Sequence, residues 1–303
     1  MYPIKKILVG HDLTDIDVTL IKFAAFIAKA SSSQKVYFIN VIRELHLPTE
    51  VQKEFPKLLD NALEERKAHM TELVKANFDS EDIDFRVTVK EGVPAKKILK
   101  YSLEKSDLIM VGRKVNLKGS GLISYRLARR AACSLFIVPE GLEPKIKNIL
   151  VPSDFSDYSV IAMEEAVNLA TNIKAQIVVQ NVYHVPAGYH FTGKTFEEFI
   201  KIMEKHSRRD YRKFMKQIDT KGLKPKVIYS LDNNDDPVED IYEMALKLRP
   251  DCVVIGAKGR TATTAIFLGS LAERLVQVNK KFPLFVVRPK GKNAGLLEFL
   301  LEI

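Results

Sequence analysis

The chain is poor in cysteine, with only Cys133 and Cys252 among 303 residues. Two cysteines exclude a disulfide-built scaffold and suit a reducing compartment. No apolar run approaches the roughly 20 residues that span a bilayer. No long apolar stretch follows Lys5 and Lys6, so no signal peptide is expected. There is no basic tail either: the net charge of +9, from 47 basic and 38 acidic residues, is spread over both halves. Such a spread reads as a solvated surface, whereas nucleic acid calls for a clustered basic patch with aromatics set among it. These absences point to a cytoplasmic protein without nucleic-acid or membrane partners. What is present is ordinary for a globular chain, 46% hydrophobic and 28% charged, enough to build a core without metals. At roughly 150 residues per domain, the length suggests two domains.

The chain repeats itself. Ile4-Lys5-Lys6-Ile7-Leu8-Val9-Gly10-His11-Asp12 returns as Ile146-Lys147-Asn148-Ile149-Leu150-Val151-Pro152-Ser153-Asp154. Leu108-Ile109-Met110-Val111-Gly112 returns as Cys252-Val253-Val254-Ile255-Gly256, and Leu135-Phe136-Ile137-Val138 as Leu284-Phe285-Val286-Val287. The order is kept, so this is a duplicated domain and not a short solenoid unit. The joint lies at residues 139–144, where Pro, Glu and Gly interrupt the pattern. The expected boundaries are 1–140, 145–291 and an apolar tail at 292–303. That tail is expected to dock as a short helix on the core or on a partner subunit.

Each half alternates short Val- and Ile-rich runs with amphipathic segments. Strands are expected at 4–10, 35–41, 85–89, 108–112 and 135–138, then at 148–152, 176–182, 226–230, 252–256 and 284–287. Runs apolar throughout suit parallel strands buried on both faces. Helices are expected at 14–30, 157–172, within 196–218, at 237–248 and at 270–279, with Pro94 and Pro237 in first turns, where proline is tolerated. The fold class is α/β: two tandem doubly wound, Rossmann-like domains, each a five-stranded parallel sheet with helices on both faces.

Doubly wound sheets bind ligands beyond the carboxyl ends of their strands. There the second half carries Gly256-Ala257-Lys258-Gly259 and, later, Gly269-Ser270, a spacing of Gly-x2-Gly-x9-Gly-Ser. Glycines allow close backbone approach and positive φ. A helix opening at Gly269-Ser270 would aim unpaired N–H groups at the loop, which favours phosphate. A flexible connection with a serine N-cap fits the same residues. Asp154 likewise suits a ligand contact or an acidic cap of the next helix.

The first-strand segment Ile149-Leu150-Val151-Pro152-Ser153-Asp154-Phe155-Ser156, the run Val254-Ile255-Gly256-Ala257-Lys258-Gly259 and the pair Gly269-Ser270 together resemble the ATP-binding branch of the universal stress proteins. The resemblance covers nearly all of both halves and implies a tandem member. It implies ATP, or another adenine nucleotide, in the second domain, with a divalent metal able to join through the phosphates. Asp154, with Pro152 and Ser153 beside it, would face the adenosine. Val182 would offer its backbone to the adenine edge. Gly256, Lys258, Gly259, Gly269 and Ser270 would surround the ribose and phosphates, and Leu271 would add an early helix N–H. The duplicated order implies an internal pseudo-dimer, with a homodimer left open.

The first half departs from this pattern. Val115 stands at the second glycine, Gly121 matches Gly269, Leu122 replaces the serine, and the loop is shorter. Residues 1–140 are therefore expected to bind ATP poorly or not at all. Arg113, Lys114 and Lys118 read as a solvated loop or as a site for another anion. The histidines form no close metal-ligand pair, although His184 and His190 flank one loop. Both cysteines read as core thiols, and residues 204–213 as a solvated charged helix face. No Gly-x4-Gly-Lys-Ser/Thr loop is present, and no catalytic residue is assigned. The function expected is regulation of a stress response by nucleotide occupancy. Slow ATP hydrolysis or a nucleotide-independent scaffold are the alternatives.

Overall fold

A computed structural model describes residues 3–43, 53–115, 121–232, 234–259 and 268–289. They fall into two compact units, meeting in sequence between Pro144 and Lys145. In the first unit the elements run β1 (Lys6–His11), α1 (Ile16–Ala30), β2 (Lys35–Ile42), α2 (Leu58–Asn77), β3 (Asp84–Glu91), α3 (Pro94–Lys105), β4 (Leu108–Arg113), α4 (Leu122–Arg130) and β5 (Ser134–Pro139). In the second they run β6 (Asn148–Pro152), α5 (Asp157–Ile173), β7 (Gln176–Tyr183), a 3-10 turn (Ala187–Thr192), α6 (Phe196–Met215), β8 (Lys226–Leu231), α7 (Pro237–Leu248), β9 (Cys252–Gly256), α8 (Ser270–Val278) and β10 (Leu284–Val287).

The strands within each unit are parallel, in the order β3-β2-β1-β4-β5 and, with the same topology, β8-β7-β6-β9-β10. The chain therefore winds outward in both directions from the first strand of each unit, and the crevice opens between that strand and the fourth. Burial explains the sequence pattern. Ile7, Leu8, Val9, Ile149, Leu150 and Val151 are all fully buried, as strands covered on both faces must be. Large aromatics fill the layers, Phe23, Phe38 and Phe136 in the first unit and Phe214 and Phe285 in the second. Burying such a side chain stabilises a fold by roughly 1.5–3 kcal/mol.

Local chemistry sets the element ends. Thr195 and Glu198 form a reciprocal capping box at the start of α6. Pro94 and Pro237 open α3 and α7. One device was not read from the sequence and occurs twice. Asp107 Oδ2 accepts the N–H groups of Lys5 and Lys6, at 2.9 and 2.8 Å. Asp251 Oδ2 accepts those of Lys147 and Asn148, both at 2.9 Å. Each aspartate ties the start of its unit's first strand to the chain entering the fourth.

Among the described residues no helix is long and apolar enough to cross a membrane. Both cysteines are buried, and burial pushes the Cys252 thiol above the usual range. The charged face of α6 is less purely solvated than expected, because the Arg208 guanidinium lies over the Tyr229 ring at 4.6 Å. The apolar tail at 292–303 and Lys118 lie outside the described residues.

Within α5, burial lifts the Glu165 carboxyl to about 7, with Glu164 adding to the rise and Lys221 opposing it. The folded state thus favours the protonated acid. This favourable difference is fully present below the unfolded-state value and is lost as pH rises to about 7 and beyond. Glu165→Gln should leave stability little changed near pH 4 and raise it at pH 8 by on the order of 3 kcal/mol. Urea denaturation at the two pH values checks this.

Candidate functional site

The turn from β6 to α5 is held by its own short polar side chains. Ser153 N–H donates to the Gln180 carbonyl at 2.8 Å, and the Ser153 carbonyl accepts from Asn181 Nδ2 at 2.8 Å. Ser153 Oγ accepts the Phe155 N–H at 3.1 Å, and Phe155 takes a φ of 61°. Asp154 Oδ1 accepts from the Ser156 N–H at 3.1 Å and the Ser159 hydroxyl at 2.7 Å. The carboxylate is therefore oriented before any ligand arrives. The helix cap is Ser156, whose hydroxyl accepts the Ser159 N–H. The reading of Asp154 as the N-cap is thus corrected: it bonds the cap residue's own N–H from two residues before.

The glycines of the second loop serve close approach and not positive φ, since none of Gly256, Gly259 and Gly269 is left-handed. A Cβ on Gly256 would lie 2.7 Å from the Tyr158 backbone oxygen, so this glycine lets α5 pack on the end of β9. A Cβ on Gly259 would lie 2.7 Å from Asp154 Oδ2, and one on Gly269 would lie 3.1 Å from Lys258 Cα. The loop thus closes onto both Asp154 and the start of α8. Gly269 is the N-cap of α8, its N–H donating to the Ala257 carbonyl at 2.8 Å. Ser270 is the first helical residue, which corrects the serine N-cap reading. No side chain caps this helix among the described residues, so its early N–H groups are presented at the cavity wall.

The third wall is the edge of β7. Strand β6 pairs with it only as far as Pro152 opposite Gln180, and Ser153 makes the last bond. Beyond that point β6 turns away. The next peptide on that side, at Val182, faces the crevice while β8 continues to pair on the other side, Asp232 N–H donating to the Tyr183 carbonyl. A donor and an acceptor side by side on one strand suit the edge of a planar base.

These walls enclose a cavity of about 610 Å³, within the range of small-molecule sites. Pro152, Ser153, Asp154, Val182, Gly256, Lys258, Gly259, Gly269, Ser270 and Leu271 all line it. The sequence reading missed Ser159, Gln180, Tyr183, His184 and Asp232, and the apolar floor of Pro237, Ile241, Ile255, Leu268 and Ala272. Lys258 is buried, with Nζ 5.5 Å over the Tyr158 ring. Burial, and then Arg288, hold its pKa below the usual lysine value. At the rim, Arg274 grips Asp236 with two bonds of 2.7 and 2.6 Å. That pair holds the Asp236 carboxyl below its ordinary range and joins the start of α7 to α8. No group of three or more metal-ligating side chains occurs among the described residues; His184 lines the cavity, while His190 packs against the Phe191 ring.

A model of the universal stress protein family matches residues 3–139 and again 145–288. The chain belongs to the universal stress protein family. It is similar to the universal stress protein MJ0531 of Methanocaldococcus jannaschii, 29% identical over 147 residues, covering 48% of this chain and 84% of that one. A universal stress protein from Archaeoglobus fulgidus shares the fold over both repeats, with a TM-score of 0.62 and 17% identity, covering 95% of this chain and 97% of that one. Another solved universal stress protein, in complex with cAMP, matches 47% of this chain and 97% of its own at 17% identity, with a TM-score of 0.37.

Between the two universal stress protein repeats, the corresponding loops differ in kind. Lys114 Nζ pairs with Asp12 Oδ2 at 2.8 Å, Lys114 and Asp12 being the counterparts of Lys258 and Asp154. Val115 replaces Gly259, and its N–H donates to Glu140 Oε1 at 2.8 Å. Gly121 is left-handed at φ 92°, unlike Gly269, and Arg113 lies against it, its Cζ 3.2 Å from where a Cβ would stand. Arg113 is buried. The solvated-loop reading is corrected for Arg113, whose side chain is buried, while Lys114 forms its ion pair at the exposed surface.

Gly256→Ala should destabilise the protein by about 1–3 kcal/mol, because the new methyl meets backbone that cannot step aside. Gly112→Ala should cost less, since the nearest atoms there are the ends of Ile16 and Leu20. Denaturant midpoints of the two variants test the contrast.

Proposed function

We propose that residues 145–288 bind ATP, or another adenine nucleotide, and that the protein is a cytoplasmic regulator whose state follows that occupancy. One observation carries the reading: three walls with matched chemistry converge on one cavity. The Val182 peptide offers a donor and an acceptor to a base. The oriented Asp154 carboxylate can accept from ribose hydroxyls. The uncapped start of α8, with Lys258 nearby, suits phosphates. Gly259 and Gly269 keep clear the space that side chains would fill. A divalent cation would enter on the phosphates, with Asp154 and Asp232 the carboxylates lining the cavity. Binding shifts a conformational equilibrium only through unequal affinity for its states, and two repeats in one chain provide what an internal pseudo-dimer requires.

In the first repeat, Arg113 and Val115 stand where the second has Ala257 and Gly259, and Leu122 where it has Ser270. We therefore propose one nucleotide per chain.

Small molecules released by denaturing freshly purified protein, identified by mass, test the reading. ATP or ADP near one equivalent per chain is the expected result. Gly269→Val, which pushes a branched side chain toward Lys258 Cα, should weaken ATP binding by about 10-fold or more in calorimetric titration. No released nucleotide and no thermal shift on adding ATP or cAMP would overturn the proposal in favour of a nucleotide-independent scaffold. Turnover proportional to enzyme and lost in Gly269→Val would make it a slow ATPase.

A further inference from the structure

The sheet of the first unit ends on an unguarded edge. Strand β3 closes the order β3-β2-β1-β4-β5 and pairs only with β2 among the described strands. It is eight residues long, Asp84–Glu91, and holds no proline. The Gly92 N–H donates to the Ile42 carbonyl, so the even-numbered residues of β3 bond β2. By the alternation of a parallel ladder, Phe85, Val87, Val89 and Glu91 turn their N–H and C=O groups outward. Their side chains share one face. Phe85 packs there on Phe38 and Phe78, yet Phe85, Val87 and Val89 are only half-buried. The second repeat treats the same edge differently. By register Phe85 corresponds to Pro225, at the entrance of β8. Pro225 belongs to the outward-facing set, since the Asp232 N–H donates to the Tyr183 carbonyl and the even-numbered residues there bond β7. A proline in that place removes an outward donor, a known guard against edge pairing.

We propose that β3 pairs antiparallel with the β3 of a second copy of this chain, about a two-fold axis at Val87, and that the protein is a homodimer through this edge. Charge selects both the partner and the register. With Val87 opposite its own copy, Asp84 faces the partner's Lys90, Phe85 the partner's Val89 and Arg86 the partner's Thr88. Two-fold symmetry makes the Asp84–Lys90 contact twice, once at each end of the pairing. The outward-facing residues then lie opposite one another, and each such pair exchanges both of its N–H···O bonds. An axis at Arg86 would set two arginines opposite, and one at Thr88 would set Arg86 opposite Lys90. An axis at Phe85 would overlap far less of the strand. Asp84 also meets Lys35, but its side chain is 66% exposed and Lys90 is exposed, so both are available. In the second repeat the corresponding residues are Lys224 and Ser230, which carry no such complementarity. Nothing in this pairing depends on nucleotide.

Light scattering of the full chain during size exclusion, over a concentration series, tests this. Twice the chain mass is the expected result for the wild-type protein. Val87→Pro removes an outward donor and no bond to β2, and should weaken the dimer by about 10-fold or more. Lys90→Asp and Asp84→Lys should each weaken it by about 5-fold or more, because each sets like charges opposite one another. Mixed in equal amounts, those two variants should recover the dimer, since both contacts between unlike chains are then opposite in sign. A general loss of folding cannot give that recovery. A wild-type protein that stays monomeric overturns the proposal, and leaves the edge to a strand of some other protein. A dimer unchanged by all three substitutions places the interface elsewhere and overturns it too. So does a mixture that stays as weak as its two components.

Discussion

The site depends on one geometric constraint: a parallel strand that stops pairing earlier than its neighbour. Strand β6 leaves the sheet after Ser153 bonds Gln180, while β7 runs on with β8 at its other edge. A peptide at that edge loses its strand partner at the place where two crossovers depart to opposite faces. Everything else in the cavity is arranged around this vacancy in the ladder. The β6–α5 turn is stiffened by its own serines, the β9–α8 loop is drawn in by three glycines, and α8 begins without a side-chain cap.

Duplication supplies an internal control. The two universal stress protein repeats share strand order, the aspartate staples and the asparagine that bonds the first-strand turn, Asn40 to His11 and Asn181 to Ser153. These shared features belong to the fold. The differences concentrate at the crevice. Ala257, Gly259 and Ser153 in one repeat are Arg113, Val115 and His11 in the other, and His11 Nδ1 lies buried 3.0 Å from Asp17. Exchanging three small residues for three bulky ones is what closing a cavity looks like at the level of sequence. The first repeat thus keeps the architecture and carries larger side chains at these positions.

Much of this was legible beforehand. Strand runs apolar on both faces, helix-period segments and prolines in first turns announced the α/β class, and the repeat placed the joint between the halves. The ten candidate residues were found through motif positions, and the structure brings them to one cavity. What escaped was of two kinds. Residues such as Ile241, Leu268 and Ala272 reach the cavity from distant elements, and their apolar character is indistinguishable from ordinary core. Gln180 was readable in principle, as a polar interruption in a run whose duplicate holds Ile39, but only with the halves aligned strand by strand. The glycine loop was located for two reasons, close approach and positive φ, and only the first holds. Positive φ is a property of one residue, whereas close approach to Tyr158 and Asp154 is set by partners that sequence spacing does not display.

The paired aspartate staples have a consequence for biosynthesis. Asp107 and Asp251 each reach back across about a hundred residues to the opening of their own repeat. The first strand of a repeat gains its inner neighbour only after four-fifths of that repeat has left the ribosome, so each sheet closes late and from its centre. Yet both staples are internal to their repeats. The first repeat can therefore finish folding while the second is still being translated, an order of emergence that disfavours strand exchange between two repeats of the same strand order.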